Sequence, residues 1–250
     1  MFFIFGDVQD HIRIGAALTL AILFGITAFL LNWLTYDGAL AASIFGAISY
    51  GIGNWQVAII VLFFFISASL VSEDNVSIKF RRDGRQVWAN GFWLCLWLMI
   101  WFISGQQVFL IASVASIATA TADTWATELG SKTKSNTFLV TNFDRVSAGT
   151  DGGISFKGSI AALFGSAIIA AIFRLTVNDT SLVVFIIIAF TGFLGCFIDS
   201  YLGAKLQGSS LKIPFLSNNE SGTITVNNNI VNWLSTGSAS ILVLLITLII

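Results

Sequence analysis

The sequence is poor in charged residues, histidine, cysteine and proline. Charged residues make up 10% of the 250 residues and the net charge is -1, so the basic surface typical of nucleic-acid-binding proteins is missing. The one histidine, His11, lies near the terminus, and the two cysteines, Cys95 and Cys196, lie inside apolar runs. This composition argues against a zinc site, a disulfide framework and a nucleic-acid partner.

Long hydrophobic runs dominate the sequence instead, with 56% hydrophobic residues and a mean hydropathy of +0.87. Because a helix needs about 20 apolar residues to cross the hydrocarbon core, we predict an all-α, polytopic membrane protein with about seven or eight transmembrane helices. Residues 1–250 form a single integral membrane domain. The predicted spans are Ile14–Leu34, Ala39–Tyr50, Trp55–Val71, Val87–Ile103, Val108–Thr127, Gly158–Ile172, Leu182–Leu206 and Ile230–Ile250.

The apolar run from Ala39 to Ser72 is too long for one ordinary helix. Gly51, Gly53 and Asn54 near its middle favour a break into two shorter helices. With eight helices the N-terminus lies outside the cell, whereas fusing these two places it inside. Residues 14–72 thus hold the N-terminal spans, and residues 83–232 hold the polar motifs.

Basic residues gather in two segments between spans. By the positive-inside rule, both segments face the cytoplasm, and the informative polar residues lie at the same ends of the helices. The site is therefore expected on the cytoplasmic face. The basic residues of the two segments are Lys79, Arg81, Arg82, Arg85, Lys132, Lys134, Arg145 and Lys157.

The fifth predicted span carries Asp123 and Glu128 in an otherwise apolar helix. A charge in a membrane helix costs roughly 2.5–3.5 kcal/mol and usually faces a cavity, a partner or an ion. Ala115, Thr119, Asp123 and Thr127 recur at four-residue steps, which predicts one small, polar face. Glu128 lies roughly 140° from Asp123 around an ideal helix, so it joins the same site only if the helix frays or another element reaches it.

Two further acids are expected to converge with Asp123 from other helices. Asp199 lies near the end of the seventh span, and Asp151 lies before the sixth. Hard cations such as Mg²⁺ are bound by one or two carboxylates together with waters and phosphate oxygens. We therefore predict a Mg²⁺ site whose candidate ligands are Asp123, Asp199, Glu128 and Asp151.

The segment Gly149–Gly153, GTDGG, directly precedes the sixth span. Glycines there allow backbone N–H groups to approach an anion at the positive end of the helix dipole. The alternative is an ordinary helix start with Asp151 as its N-cap. Among the basic residues, Arg85 lies closest to the membrane and adjoins Gln86 and Asn90, so we expect it to contact phosphate.

Four motifs in this order and spacing resemble one integral membrane family: GRQVWANG from Gly84, ATADTWATELG from Ala120, SAGTDGGIS from Ser147 and GCFIDSYLGA from Gly195. Its plant and cyanobacterial members include phytyl phosphate kinase, and its animal members are called transmembrane protein 19. It is also known as domain of unknown function 92. The first three hydrophobic runs match mainly in pattern. The usual glycine motif of the family has a neutral residue where Asp151 stands.

The resemblance implies a lipid kinase that transfers the terminal phosphoryl group of a nucleoside triphosphate, typically CTP, to a prenyl monophosphate such as phytyl or geranylgeranyl phosphate. We predict that Asp123 and Asp199 hold Mg²⁺ and that Arg85 contacts phosphate, while the prenyl tail lies between helices in the lipid. The residues predicted to contact the nucleotide or the acceptor are Asn90, Thr150, Gly152, Gly153, Asn229 and Asn232.

Other functions stay open at this point. A lipid cytidylyltransferase or a polyprenol kinase would need much the same metal and phosphate groups. A transporter of ions or small solutes could use intramembrane acids between internal repeats, but the acids lie toward one face and no convincing repeat is found. Expected partners are membrane lipid, a prenyl phosphate and a nucleotide, and homo-oligomerisation is left open.

Overall fold

The fold is a bundle of membrane helices, described by a computed structural model for residues 8–72, 81–132, 136–212 and 223–249. Seven helices in these residues are long and apolar enough to cross a membrane, and α2, with 16 residues, is shorter. The predicted all-α membrane fold is confirmed. The helices are α1 Val8–Leu30, α2 Tyr36–Gly51, α3 Asn54–Ser72, α4 Gly84–Ser104, α5 Gln107–Ser131, α6 Phe156–Thr176, α7 Leu182–Leu206 and α8 Asn228–Thr247.

The predicted break in the run from Ala39 to Ser72 is confirmed. Helix α2 ends at Gly51 and α3 begins at Asn54, where the backbone φ of 59° lies in the left-handed region that asparagine tolerates. A Cβ atom at Gly53 would lie 2.7 Å from the Ser49 carbonyl oxygen, so the tight turn requires glycine there. The run therefore forms two helices that run in opposite directions.

Contacts between helix ends show that successive helices alternate in direction. Asp37 at the start of α2 accepts a hydrogen bond of 2.8 Å from the backbone N–H of Gly84 at the start of α4. Ser72 at the end of α3 donates to Glu128 near the end of α5 at 2.9 Å. We call this end of the bundle the site face: α1, α3, α5 and α7 end there, and α2, α4, α6 and α8 begin there.

Helix α5 is the centre of the bundle. It packs against α3, α4, α6, α7 and α8. Every residue from Ala112 to Ala122 is buried, and most of these side chains are small. Small residues allow neighbouring helix backbones to approach closely within a membrane. The position of α5 is therefore fixed by several helices at once.

Several helices extend beyond their predicted spans at the site face, α4 and α5 among them. Helix α4 begins at Gly84 because Asp83 caps it in a reciprocal capping box with Gln86. Helix α5 continues to Ser131, four residues past the predicted end. Among the basic residues of the two predicted segments, Lys79 and Lys134 lie outside the described residues.

Two small sheets lie at the site face, where the sequence predicted only loops. Strands of two or three residues are too short to show the alternating pattern by which strands are recognised. The strands are β1 Thr137–Leu139, β2 Arg145–Val146, β3 Gly153–Ser155, β4 Ser210–Lys212 and β5 Thr223–Thr225. In the larger sheet the order is β2-β1-β3, and both pairings are antiparallel. In the smaller sheet β4 pairs with β5.

Candidate active site

Asp123 and Asp199 lie together because α5 and α7 run in the same direction and pack closely. A Cβ atom on Gly195 of α7 would lie 2.4 Å from the Thr119 Cγ2 atom of α5, so only glycine permits this approach. Each aspartate follows its contact residue by four positions, about 6 Å nearer to the site face. Both carboxylates line the same cleft. The structure thus brings together the two acids that we expected to converge.

Asp199 is held in place by α8. Its side chain is 8% exposed, and Ser235 Oγ donates a hydrogen bond of 2.8 Å to its Oδ2 atom. Asn232, with its amide nitrogen turned toward the surrounding acceptors, donates to the same oxygen at 3.1 Å and to the Asn228 carbonyl at 3.1 Å. Within the described ranges no hydrogen bond reaches Asp199 Oδ1, so this oxygen is left for a ligand.

Asp123 accepts no hydrogen bond from the part of the chain that the structure describes, and its side chain is partly exposed to a cleft. Thr119 lies one turn earlier on the same helix face, but its hydroxyl does not donate to Asp123, because Thr119 Oγ1 donates to the Ala115 carbonyl at 3.0 Å. A carboxylate at membrane depth is costly without a partner. Asp123 is therefore available to a cation or a proton that enters the cleft.

A cleft of about 860 Å³, including its opening at the site face, lies between α5, α6, α7 and the turn that joins β2 to β3. We call it the acidic cleft. Its lining combines two carboxylates from membrane helices with hydroxyl groups and backbone from the turn. The lining residues used below are Asp123, Thr127, Thr150, Asp151, Gly152, Gly153, Phe197, Asp199 and Asn228.

The segment Gly149–Gly153, which we call the glycine turn, lies in the acidic cleft because it contacts α7. Gly152 has a φ of 77°, and a Cβ atom there would lie 2.4 Å from the Ala204 Cβ and 2.7 Å from the Ser200 carbonyl oxygen. The turn closes on itself, since Gly153 N–H donates to the Thr150 carbonyl at 2.8 Å. Gly152 therefore supplies both a left-handed backbone and the close approach of the turn to α7.

The structure corrects our expectation for the segment between this turn and α6. Strand β3 lies between them, so the turn does not directly precede the helix. Asp151 is not the N-cap of α6. Ser155 has that role, and its Oγ accepts from the Gly158 N–H at 3.1 Å. The exposed Asp151 side chain instead lines the mouth of the acidic cleft.

The described lining of the acidic cleft contains no lysine or arginine. Within the same residues, no three histidine, cysteine or acidic side chains lie together as a metal cluster. Asp151 therefore does not complete a three-carboxylate site with Asp123 and Asp199. Among the residues that the structure describes, the cleft presents the pair Asp123 and Asp199 without a basic side chain to neutralise them.

Glu128 lies on another side of α5. The helix does not fray there, because it continues to Ser131. Glu128 Oε1 accepts from Ser72 Oγ at 2.9 Å, and Arg82 Nη2 donates to the same Ser72 oxygen at 3.0 Å. The metal role expected for Glu128 at the Asp123 site is therefore not supported by its position, which faces α3.

Three other predicted site residues lie outside the acidic cleft. Arg85 and Asn229 line a separate pocket of about 790 Å³ beside the start of α8, together with Trp88 and Trp233. Asn90 lines neither pocket. It lies at the polar end of a larger apolar cavity of about 970 Å³ among α1–α5. Together with Glu128 beside Ser72, the predicted residues thus occupy four places rather than one.

Comparison with known proteins shows the family of this chain. The family model described as "Integral membrane protein DUF92" matches residues 19–240. The chain belongs to this family. The resemblance inferred from the four sequence motifs is therefore confirmed, and from residue 19 onward it includes the N-terminal spans, which matched mainly in pattern.

Relatives of the DUF92 chain occur in archaea and plants. An uncharacterized membrane protein of Methanocaldococcus jannaschii is 32% identical over 178 residues, covering 68% of this chain and 74% of the relative. Protein PGR of Arabidopsis thaliana is 25% identical, with 81% and 82% covered. The chloroplastic protein VTE6 of the same plant is 24% identical, with 86% and 66% covered. No solved structure matches the chain.

Sequence reasoning missed Ser235 as a site residue. Serine is common in membrane helices as a small packing residue, so its presence alone is not informative. Its spacing does carry a signal, because Ser235 follows the predicted site residue Asn232 by three positions and so shares its helix face. Both side chains contact the same Asp199 oxygen.

Proposed function

We propose that this protein is a membrane phosphotransferase that transfers the terminal phosphoryl group of a nucleoside triphosphate, with CTP as the expected donor, to a prenyl monophosphate. The observation that carries the proposal is the Asp123–Asp199 pair in a polar cleft without a basic side chain among the described lining residues. An acid pair alone would repel phosphates. Together with a divalent cation, the same pair would bind them.

The residues present fit Mg²⁺. Asp123 has no hydrogen bond from the described residues, and Asp199 keeps Oδ1 available while Ser235 and Asn232 hold its other oxygen. Two carboxylates at the end of a solvent-open cleft leave positions for waters and phosphate oxygens, as Mg²⁺ prefers. When bound, Mg²⁺ would neutralise the charge of the transferring phosphoryl group.

The glycine turn supplies the phosphate contacts in this proposal. The backbone N–H groups of Asp151 and Gly152 donate to no described residue, while those of Thr150 and Gly153 are used within the turn. Successive free N–H groups in a turn form a small anion-binding concavity. The backbone N–H groups of Asp151 and Gly152 would therefore orient the phosphates beside the acid pair, whereas the N–H groups of Thr150 and Gly153 are already used.

The acceptor assignment rests on the family. The motifs resemble those of phytyl phosphate kinase, and the chain is related over most of its length to protein VTE6 of Arabidopsis thaliana. The cleft also offers a wall for an apolar chain, since Phe197 lines it and packs edge-on against Phe193 at 5.0 Å. In the reaction, an oxygen of the prenyl phosphate bonds to the γ-phosphorus, the bond to the bridging oxygen breaks, and a nucleoside diphosphate leaves.

The pocket beside α8 is the proposed place for the outer part of the nucleotide. Asn228 lines the acidic cleft, and Asn229 lines the neighbouring pocket with Arg85 and Trp233. A nucleotide whose phosphates reach the acid pair would cross the start of α8. Its outer part would then contact the Arg85 guanidinium, the Asn229 amide and the Trp233 ring. Asn232 acts through its hydrogen bond to Asp199.

We also infer that the site face is the cytoplasmic face. Ten of the twelve lysines and arginines lie in or beside the segments that connect helices at this face, and the exceptions are Arg13 and Arg174. Such an excess marks cytoplasmic segments. This orientation gives the acidic cleft access to cytoplasmic nucleotides.

The test is product analysis with the purified protein, Mg²⁺ and each nucleoside triphosphate in turn, with geranylgeranyl monophosphate or geranylgeraniol as acceptor. We expect geranylgeranyl diphosphate from the monophosphate, together with the nucleoside diphosphate, as identified by mass. Pyrophosphate with a cytidylylated lipid would indicate a cytidylyltransferase instead, and monophosphate from the alcohol would indicate a polyprenol kinase. No turnover with any acceptor would reject the phosphotransferase and favour a transporter.

A further inference from the structure

The apolar cavity among α1–α5 is separate from the acidic cleft. No lining residue is shared, because α5 stands between them: Ile117 faces the apolar cavity and Asp123 the acidic cleft. The apolar cavity exists because α3 and α4 pack mainly against other helices, α2 and α5 among them, rather than along each other. A lipid in this cavity is therefore not positioned to react at Asp123.

The depth of the apolar cavity matches one leaflet of a membrane. Along α3 the lining of the cavity extends from Ala58 to Ala68, which is a rise of about 15 Å along the helix axis. This is about half the thickness of the hydrocarbon core of a bilayer. Its walls are apolar and include Phe24, Phe45 and Phe65. Such walls offer water few hydrogen bonds, whereas one hydrocarbon chain would fill the space.

The end of the apolar cavity at the site face is polar and carries a cation. Arg82 lies there, and its guanidinium donates to Ser69 Oγ at 2.9 Å, to the Ala68 carbonyl at 3.0 Å and to Ser72 Oγ at 3.0 Å. All three partners are neutral, and Arg82 forms no ion pair with any described residue. Glu128 shares the Ser72 hydroxyl with Arg82 and lies within electrostatic range of the guanidinium, but the two side chains form no direct hydrogen bond. A partly buried cation of this kind favours an anion at the cavity end.

Neighbouring groups complete the polar end. Gln86 Oε1 accepts from the Asp83 N–H at 3.2 Å, and its amide nitrogen donates to no described residue. Asn90 uses its nitrogen toward the Gln86 carbonyl at 3.2 Å. Arg81 and Arg85 are exposed beside this end. Clustered arginines at a membrane surface attract anionic lipid headgroups.

We propose that the apolar cavity binds one acyl chain of an anionic phospholipid of the same leaflet, with the phosphate at Arg82, as a lipid site separate from the acidic cleft. We infer this occupant from three features of the apolar cavity: the charge of Arg82 at its end, its depth of one leaflet, and its separation from the acidic cleft by α5. Binding here does not depend on any reaction at Asp123, so its failure and the failure of the proposed kinase activity are distinguishable.

The experiment is native mass spectrometry of the full-length protein in detergent with added dioleoyl phosphatidylglycerol or dioleoyl phosphatidylcholine. We expect one retained phosphatidylglycerol and a preference of about fivefold over phosphatidylcholine, the size expected for one cation near a lipid phosphate. Arg82→Gln should remove the preference. Ala58→Phe should fill the cavity and reduce binding of both lipids, whereas Ile59→Phe, on the adjacent exposed side of α3, should bind like the unmodified protein.

Three results would overturn the proposal. The first is equal retention of the two lipids by the unmodified protein, and the second is unchanged retention in Ala58→Phe. The third is displacement of the phosphatidylglycerol from the unmodified protein by an equal amount of geranylgeranyl monophosphate, since this would make the cavity the acceptor site. Because Arg82→Gln removes hydrogen bonds to α3, Ala58→Phe serves as the second, independent variant.

Discussion

The acidic cleft and the apolar cavity lie on opposite sides of α5 and are built by opposite kinds of packing. On the cleft side, glycines at Gly192 and Gly195 bring α7 so close to α5 that an added Cβ atom would overlap Ala118 or Thr119. On the cavity side, α3 and α4 leave a space of about 970 Å³ walled by aromatic rings. One helix thus separates a tightly packed polar site from a loosely packed apolar one.

This difference assigns separate tasks to the two halves of the bundle. Precise placement of two like charges requires rigid backbones, and close helix contacts between small residues provide them. A hydrocarbon chain requires only apolar volume. Substitutions on the tightly packed side, compared with matched positions elsewhere in the bundle, test this division.

Replacing Asp123 by asparagine should lower the rate of phosphoryl transfer by about 10³-fold, the scale seen when one electrostatic catalytic group is removed. Glu128→Gln is the matched control on the same helix. Because Glu128 contacts Ser72 on another side of α5, its rate should change by less than about threefold. Initial rates of prenyl diphosphate formation measure the effect of each substitution. Equal losses of rate in the two variants would show that the transfer depends on negative charge on α5 in general and not on the acid pair.

Gly195→Val should separate α5 from α7 and destabilise the protein by about 1–3 kcal/mol, as expected for overpacking. Loss of the Asp123–Asp199 contact should lower transfer by about 10²-fold. Gly15→Val is the control, since a Cβ atom there meets nothing within 4 Å. Thermal unfolding in detergent and transfer rates together test this expectation, which fails if the two variants behave alike.

Ser235→Ala should leave Asp199 in place but remove one hydrogen bond to its Oδ2 atom. Groups that orient metal ligands typically contribute about 10- to 100-fold to metal affinity. We therefore expect the Mg²⁺ concentration for half-maximal activity to rise by that factor, with a smaller effect on the maximal rate. An unchanged Mg²⁺ titration would remove Ser235 from the site.

Gly152→Ala and Gly149→Ala separate backbone strain from contact with α7. Both glycines have positive φ, 77° and 86°, so both variants should lose about 1 kcal/mol of local stability. Only at Gly152 does the new Cβ atom meet Ala204. Gly152→Ala should therefore raise the KM for nucleotide several-fold more than Gly149→Ala, and nucleotide titrations of the transfer rate measure the difference.

The membrane fold and the acid pair could be predicted from sequence because each leaves a physical signature. Apolar runs of span length are rarely anything else, and Asp123 and Asp199 are conspicuous in apolar helices because charge is costly there. The break before Asn54 was predictable from its glycines. Glu128 could be doubted from helix geometry alone, and its contact with Ser72 bears out the angular argument.

Other features could not be predicted because they depend on which helices are neighbours. Arg82 resembles any loop arginine in sequence, and its place at the end of the apolar cavity follows from the gap between α3 and α4. Arg85 and Asn229 were predicted to belong to the same site as the acid pair but line a separate pocket beside the start of α8. The short strands around the glycine turn are too brief to leave a pattern, so the alternative in which Asp151 caps α6 was wrong, and Ser155 is the N-cap.

The central claim is that the close contact of α5 and α7 creates a two-carboxylate cation site. Electron paramagnetic resonance of Mn²⁺ bound to the purified protein with a non-hydrolysable nucleotide tests it without relying on turnover. The account predicts one bound Mn²⁺ per chain in the unmodified protein and in Glu128→Gln, and loss of that signal in Asp123→Asn and Asp199→Asn. Equal Mn²⁺ binding by all four proteins would contradict it.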